Sequence, residues 1–385
     1  MKILIVVPYF HPSAGGLQQY ALNLHNYLKD NKHEVVIVTS NKENKLKEEK
    51  INNTRIYRLP TLFRISNTPI NFFWVKHLRR IIETEKPDLI NAHLPVPFIA
   101  DLAARVAKER KIPFILTYQN DLIKENPLLN LLCKAYYFFL GNKTLEISKK
   151  IIVNSFYYAE TSPHLKKHLK KVSCVPPSVD VKKFNLSINR DWLKRKYNLK
   201  NNIVLFVGQL DKSHNHKGLK YLIEAIKKIK EEKTPIKLLI VGEGDNINYF
   251  KKISKKIGIE EDIIFAGKKE KTLPLHYAGS NVTVLPSTNR SEGFGIVLIE
   301  SMACGTPVIG TRVGGIPAVI DDKKDGFLVE PKNSIELSKA IKKILTEKEL
   351  SKEMGLNGAK KVQEKYSIEK FGKKTLKLFN EVTKE

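Results

Sequence analysis

Cysteine is scarce. Cys133, Cys174 and Cys304 lie far apart and are odd in number, which excludes a disulfide framework and leaves no Cys-x-x-Cys pair for a metal or redox site. A reducing, cytoplasmic setting suits such a chain. No run reaches the roughly 18 uninterrupted apolar residues of a membrane-spanning helix. The opening residues Met1 to Pro8 are an apolar run of strand length, without the basic start and longer apolar core of an export signal. Acid is also short: 40 Asp and Glu against 67 Lys and Arg leave a net charge of +27. The excess is spread through both halves, and much of the lysine shares helical phases with glutamate, as in residues 227–232, the pattern of a solvated face. There is no Cys/His finger, RNA-binding signature or basic low-complexity arm, so the expectation is no nucleic-acid partner. An anionic membrane surface and phosphorylated substrates stay compatible with the same charge.

What is present is enough apolar material, 42% of 385 residues, for two cores, because single cores stop growing at about 250 to 300 residues. Strand-like runs (Ile3 to Val7, Glu34 to Thr39, Arg55 to Leu59, Leu89 to His93, Phe114 to Tyr118, Ile151 to Asn154, Val172 to Val175) alternate with amphipathic stretches such as Leu17 to Leu28, Asn71 to Glu83, Phe98 to Arg110 and Phe156 to Leu169. That is the βαβ rhythm of a parallel doubly wound sheet. After Val175-Pro176-Pro177 the strand signal lapses, and a second alternation begins at Ile203. The expected fold is therefore α/β, with two Rossmann-like doubly wound domains, residues 1–176 and 177–366. A final helical segment, 367–384, is free to pack back on the first domain. In such sheets ligands bind beyond the carboxyl ends of the strands, so two of them in series predict a site in a cleft between facing edges.

The motifs do follow strands. Gly15-Gly16 opens the helix after the first strand, either as a plain tight turn or as a place where backbone N–H groups approach a phosphate. The dinucleotide fingerprint Gly-x-Gly-x-x-Gly is absent, which argues against an NAD enzyme. In the second half a polar loop, Gly208 to Gly218, delivers Lys217 to a helix start, where an ammonium is poorly placed unless an anion accompanies it. His214 and His216 lack a third ligand, so no metal site is expected. Glu292-Gly293-Phe294-Gly295 precedes a helix apolar on nearly all sides, with Glu300 in its middle. A carboxylate among Ile, Val, Leu and Met needs donors, which could be a pair of ligand hydroxyls or an internal Lys or Arg.

Taken together and in order, Gly15-Gly16, His93 within Asn91 to Pro95, the Val175-to-Asp180 link, Lys217-Gly218, Val241 to Gly244, Glu292 to Gly295, Glu300 and Met302 to Ile309 resemble the retaining GT-B glycosyltransferases of family four, also called group 1. The resemblance covers essentially the whole chain. It implies that the N-terminal domain binds the acceptor and the C-terminal domain a nucleotide-diphosphate sugar, UDP- or GDP-linked, with no metal cofactor. It further implies that Gly16 and the helix start approach the diphosphate and Lys217 neutralises it. Glu300 holds the ribose, Glu292 with the amides of Phe294 and Gly295 holds the transferred sugar, and the backbone at Gly267 and Lys268 receives the base. His93, Gln119, Asn120 and Asp121 are the implied sugar or acceptor contacts.

Two departures stand out. Gln209 occupies the place of a family Arg, and Arg290 is close enough in sequence to Glu292 to supply the missing charge. Gln119 occupies the place of a family His and carries no proton at neutral pH. The apolar stretch Pro127 to Gly141 reads either as a buried core helix or as a segment that dips into a bilayer or holds a polyprenyl chain. With the basic charge it points to a lipid-linked or cell-surface saccharide acceptor, polysaccharide biosynthesis, and a peripheral position on the inner membrane face. The alternative readings are a nucleotide-sugar epimerase or phosphorylase of GT-B form, and a basic binding protein without catalysis.

Overall fold

In the computed structural model, which describes residues 1–11, 15–65, 68–124 and 126–384, the chain divides into two compact units. The first comprises Met1–Ser178 with the segment from Ile368 onward, and the second comprises Val179–Ser367. The division falls two residues beyond the boundary expected at residue 176.

The first unit carries β1 (Lys2–Val6), β2 (Glu34–Ser40), β3 (Lys47–Ile51), β4 (Thr54–Leu59), β5 (Phe63–Ile65), β6 (Thr68–Ile70), β7 (Leu89–Leu94), β8 (Phe114–Tyr118), β9 (Lys150–Val153) and β10 (Val172–Cys174). Eight of these form one sheet in the order β10-β9-β8-β7-β1-β2-β4-β3. All of its pairings are parallel except β3 on β4. Strand alternation splits β1 between two cores: Leu4 and Val6 face one layer, Ile3 and Ile5 the other, joined there by Val7 just past the strand. The second layer is completed by the helix Ile368–Lys384, whose Phe371, Phe379 and Val382 pack with Ile3, Ile5 and Leu24. A Cβ on Gly372 of that helix would stand 2.1 Å from the Tyr27 ring, so the helix lies flush on its neighbour.

The second unit holds β11 (Asn202–Val207), β12 (Ile236–Val241), β13 (Ile263–Gly267), β14 (Val282–Leu285), β15 (Val308–Thr311) and β16 (Gly326–Val329), parallel throughout in the order β13-β12-β11-β14-β15-β16. The strand order reverses between β11 and β14, and at such a switch point open α/β sheets bind their ligands.

Several elements differ from the sequence expectation. The pattern Phe156 to Leu169 is not one helix: it ends at Thr161, ahead of Pro163, and resumes as a tight 3-10 turn, Lys166–Lys171. β3, the β5–β6 hairpin, β16 and the helix Lys348–Lys365 are additions. Pro127 to Gly141 is helical, as Pro127–Tyr136 followed by a π turn Tyr137–Gly141, but it is not a buried core helix, since Leu128, Leu131, Leu132, Phe138 and Phe139 are exposed.

Candidate active site

In the second unit the site is assembled by close backbone approaches. Gly218, at φ 72°, ends the loop after β11, and a Cβ there would lie 1.9 Å from the Pro286 carbonyl oxygen after β14. Thr288 N–H donates to the His216 carbonyl at 2.7 Å, stitching the same two loops. Gly314, at φ 57°, does the equivalent after β15: its Cβ would sit 2.0 Å from the Glu292 carbonyl oxygen, and Gly315 N–H donates to that oxygen at 3.0 Å. Only glycine fits such contacts in a left-handed conformation. The sequence reading missed this Gly314-Gly315 clamp, and a glycine pair straight after a strand was the available signal.

These approaches bring Lys217 Nζ to 3.1 Å from Glu292 Oε2, with both side chains largely buried. Ser287 Oγ also donates to that oxygen, at 3.3 Å. Burial alone would push the Glu292 carboxyl up, but the Lys217 charge and the hydrogen bonds from Lys217 and Ser287 outweigh it and hold the group below its usual range. His216 is also lowered, to about 4, by burial and then by Lys217. The anion that Lys217 requires is thus supplied within the protein. Gly208 lies against the Lys217 side chain, where a Cβ would stand 2.9 Å from its Cδ, while Gln209 beside it is exposed. Arg290 is half-buried, its Cα 3.6 Å from the position of a Gly314 Cβ, which places it on the same clamp.

The helix Ile296–Ala303 starts at Gly295, φ 90°, with no side-chain cap, so the positive end of its dipole is left to whatever binds there. Phe294 is buried, edge-on to Tyr366. On this helix Glu300 Oε2 accepts from the Tyr277 hydroxyl at 2.8 Å. Burial pushes the Glu300 carboxyl up to about 7, against the opposing pull of Tyr277 and of the Lys183 charge. Its partner is a hydroxyl rather than an arginine, which leaves acceptor capacity on the carboxylate. Tyr277 was missed by the sequence reading, which had no local motif to flag it. Gly267 ends β13 at φ 72° with open space where a Cβ would be, and Lys268 after it pairs with Glu270 at 2.6 Å.

In the first unit Gly15 caps the helix Gly16–Asp30 without a side-chain hydrogen bond; Pro12 to Ala14 fall outside the described residues. Tyr20 of that helix meets His93 edge-on, 5.6 Å between centroids. His93 sits at the end of β7, hydrogen-bonded to Asn91 at 3.1 Å and 3.5 Å from Gln119 Nε2 at the end of β8. Burial lowers its pKa to about 3, so it acts as a neutral ring. His93 and Gln119 therefore meet at the carboxyl ends of β7 and β8, and the helix that Gly16 opens reaches them through Tyr20. Asp121 does not join them. It is 1% exposed and one carboxylate oxygen, Oδ1, takes the Tyr118 and Ser162 hydroxyls at 2.7 and 2.6 Å. Asn120 is half-buried and donates to the Asp121 carbonyl at 3.1 Å.

Two Rossmann-like units in one chain are the architecture of the GT-B class of glycosyltransferases, and comparison with known proteins agrees. Residues 14–183 match the profile described as glycosyltransferase family 4, and residues 189–361 that of glycosyl transferases group 1. The chain is 31% identical to an uncharacterised glycosyltransferase of Methanocaldococcus jannaschii, covering 100% of this chain and 99% of that protein. It is 26% identical to the N-acetyl-alpha-D-glucosaminyl L-malate synthase of Bacillus anthracis, over 96% and 94%. Among solved structures, sucrose-phosphate synthase from Thermosynechococcus elongatus superposes with TM-score 0.79 at 23% identity, covering 99% of each chain. Anabaena HepE in complex with UDP-glucose gives 0.77 at 17%, covering 99% of this chain and 100% of that one. The chain belongs to glycosyltransferase family 4, the group 1 glycosyltransferases.

Proposed function

We propose that this glycosyltransferase moves a sugar, with retention and without a metal ion, from a UDP- or GDP-linked donor to an acceptor hydroxyl on a lipid-linked or cell-surface saccharide. The observation that carries the reading is the buried Lys217–Glu292 pair beside an uncapped helix start. An ammonium there offsets charge on the departing phosphate, and the helix amides add to it. The Glu292 carboxylate keeps lone pairs for hydroxyls of the transferred sugar, and Glu300, steadied by Tyr277, keeps them for the ribose. Gly267 and Lys268, at the end of β13, receive the base, and Arg290 supplies the second diphosphate cation in place of Gln209.

The donor's C1–O bond to phosphate loosens and positive charge develops on the sugar ring. The acceptor oxygen bonds to C1 on the same face, and its proton passes to the leaving phosphate oxygen. Positioning and electrostatics lower the barrier more than any protein base does. His93, neutral and buried, and Gln119 fit contacts to sugar hydroxyls rather than proton transfer. HepE, solved with UDP-glucose, and an Escherichia coli relative named O-antigen chain mannosyltransferase C support the donor and acceptor classes.

The test is a nucleotide-sugar panel read by thermal shift, with hits carried to turnover with acceptor alcohols. One donor that stabilises the protein and releases its nucleoside diphosphate faster when acceptor is added is the expected result. Release of the base-linked phosphate independent of acceptor, or no donor binding at all, overturns the reading. Arg290→Ala leaving turnover and donor binding intact would remove Arg290 from it.

A further inference from the structure

The helical segment Pro127–Ile147 has a satisfied inner face and an unsatisfied outer one. Inside, Tyr136 and Thr144 both donate to the buried carboxylate of Asp101, and the Tyr137 hydroxyl meets that of Tyr118 at 2.7 Å. The π turn adds a residue to the helix at Tyr137–Gly141 and keeps this seam turned inward. The segment is therefore anchored without help from its other side. Outside, Leu128, Leu131 and Leu132 recur at the three- and four-residue spacing of one helix face, followed by Phe138 and Phe139 on the π turn. Leu128 is 69% exposed and Phe138 74%. An apolar stripe of this kind on a charged protein marks an interaction surface.

Charge says what covers it. Residues 126–145 hold lysines and no acid, and the same is true of residues 161–179. The second stretch packs on the same helical segment: His164 stacks on Tyr137 at 3.4 Å, and two residues further on the basic turn Lys166–Lys171 begins, whose Lys171 Nζ donates to the Glu146 carbonyl at 2.6 Å. Leucine and phenylalanine beside a cluster of lysines is the composition that seats a helix in the headgroup region of an anionic bilayer. No helix among the described residues is long and apolar enough to cross a membrane, so the attachment is to the surface.

We infer that the first unit docks on an anionic lipid surface through the apolar stripe Leu128 to Phe139, with the Lys166–Lys171 turn on the headgroups. This goes beyond the sugar-transfer reading and does not depend on it.

The full-length protein is to be sedimented with vesicles of phosphatidylcholine, with and without phosphatidylglycerol. Binding is expected only with phosphatidylglycerol, and to weaken as salt rises. One variant set combines Leu131→Ser, Phe138→Ser and Phe139→Ser; another combines Lys166→Ser, Lys167→Ser and Lys170→Ser. Each is expected to lower partitioning by about tenfold while the melting temperature and the donor-induced thermal shift stay as in the parent protein. Should the apolar set fail to fold, the lysine set and the salt titration carry the test. Equal binding to both vesicle types, no vesicle binding, or partitioning unmoved by the lysine set overturns the inference. So does a dimer in solution that Leu131→Ser dissociates, which would make the occupant a second copy of the chain. Loss of donor binding in the parent protein would instead count against sugar transfer alone.

Discussion

Lys217 and Glu292, 3.1 Å apart and largely buried, are each other's charge partners. Removing one leaves the other's charge buried without a partner, at a cost of about 3–5 kcal/mol. Lys217→Ala should therefore lower both stability and turnover, with turnover down about 10²–10³-fold. The double variant Lys217→Met with Glu292→Gln should regain most of the lost melting temperature and none of the activity; recovery of activity would make the pair structural. Glu300 gives a second test. Its folded-state pKa of about 7 lies above the ordinary 4.5, so the native state holds the proton longer than the unfolded chain. The stability from this site is fully present below about pH 4.5 and falls away as pH rises through 7. Donor binding should run the opposite way. A carboxylate that accepts ribose hydroxyls works ionised, so affinity measured calorimetrically should tighten through pH 7 and then level off, and Glu300→Gln should flatten the profile.

At the scale of elements, the site depends on loops that can touch. Gly218→Ala would place a methyl group 1.9 Å from the Pro286 carbonyl oxygen at a positive φ, costing about 2–3 kcal/mol in denaturant titration and pushing Lys217 away from Glu292. This tight packing also explains what the sequence made legible and what it hid. The strand-helix alternation, the Glu292-to-Gly295 turn and Lys217 are local signals and could be read directly. Tyr277 reaches Glu300 from another helix, and no spacing announces that. Helix Lys348–Lys365 was hidden because Gly355 and Gly358 interrupt its pattern. In the structure they are contact points, where Cβ atoms would stand 2.3 Å from the Gly305 carbonyl oxygen and 2.9 Å from the Met302 side chain. The resemblance named Asp121 together with Gln119 and Asn120, and no local spacing showed that its carboxylate is engaged by the hydroxyls of Tyr118 and Ser162.

At the scale of the molecule, the first unit is built from two distant stretches of chain. Phe379 is fully buried in its core, so Phe379→Ala should cost about 3–5 kcal/mol, visible as a lower melting temperature of that unit. Were the second unit's transition to fall equally, the two would not unfold as separate bodies. Proteins emerge from the ribosome amino end first, at about 5–20 residues per second, and the helix that seals the first core is made after the second unit. The first unit is thus begun before the second and finished after it: its layer around Ile3, Ile5 and Leu24 waits, unsealed, while the whole of the second unit is translated and can fold. Over that interval the nascent chain offers the cell a wet, half-covered sheet, and a chaperone that shields such surfaces would find its longest-lived target there.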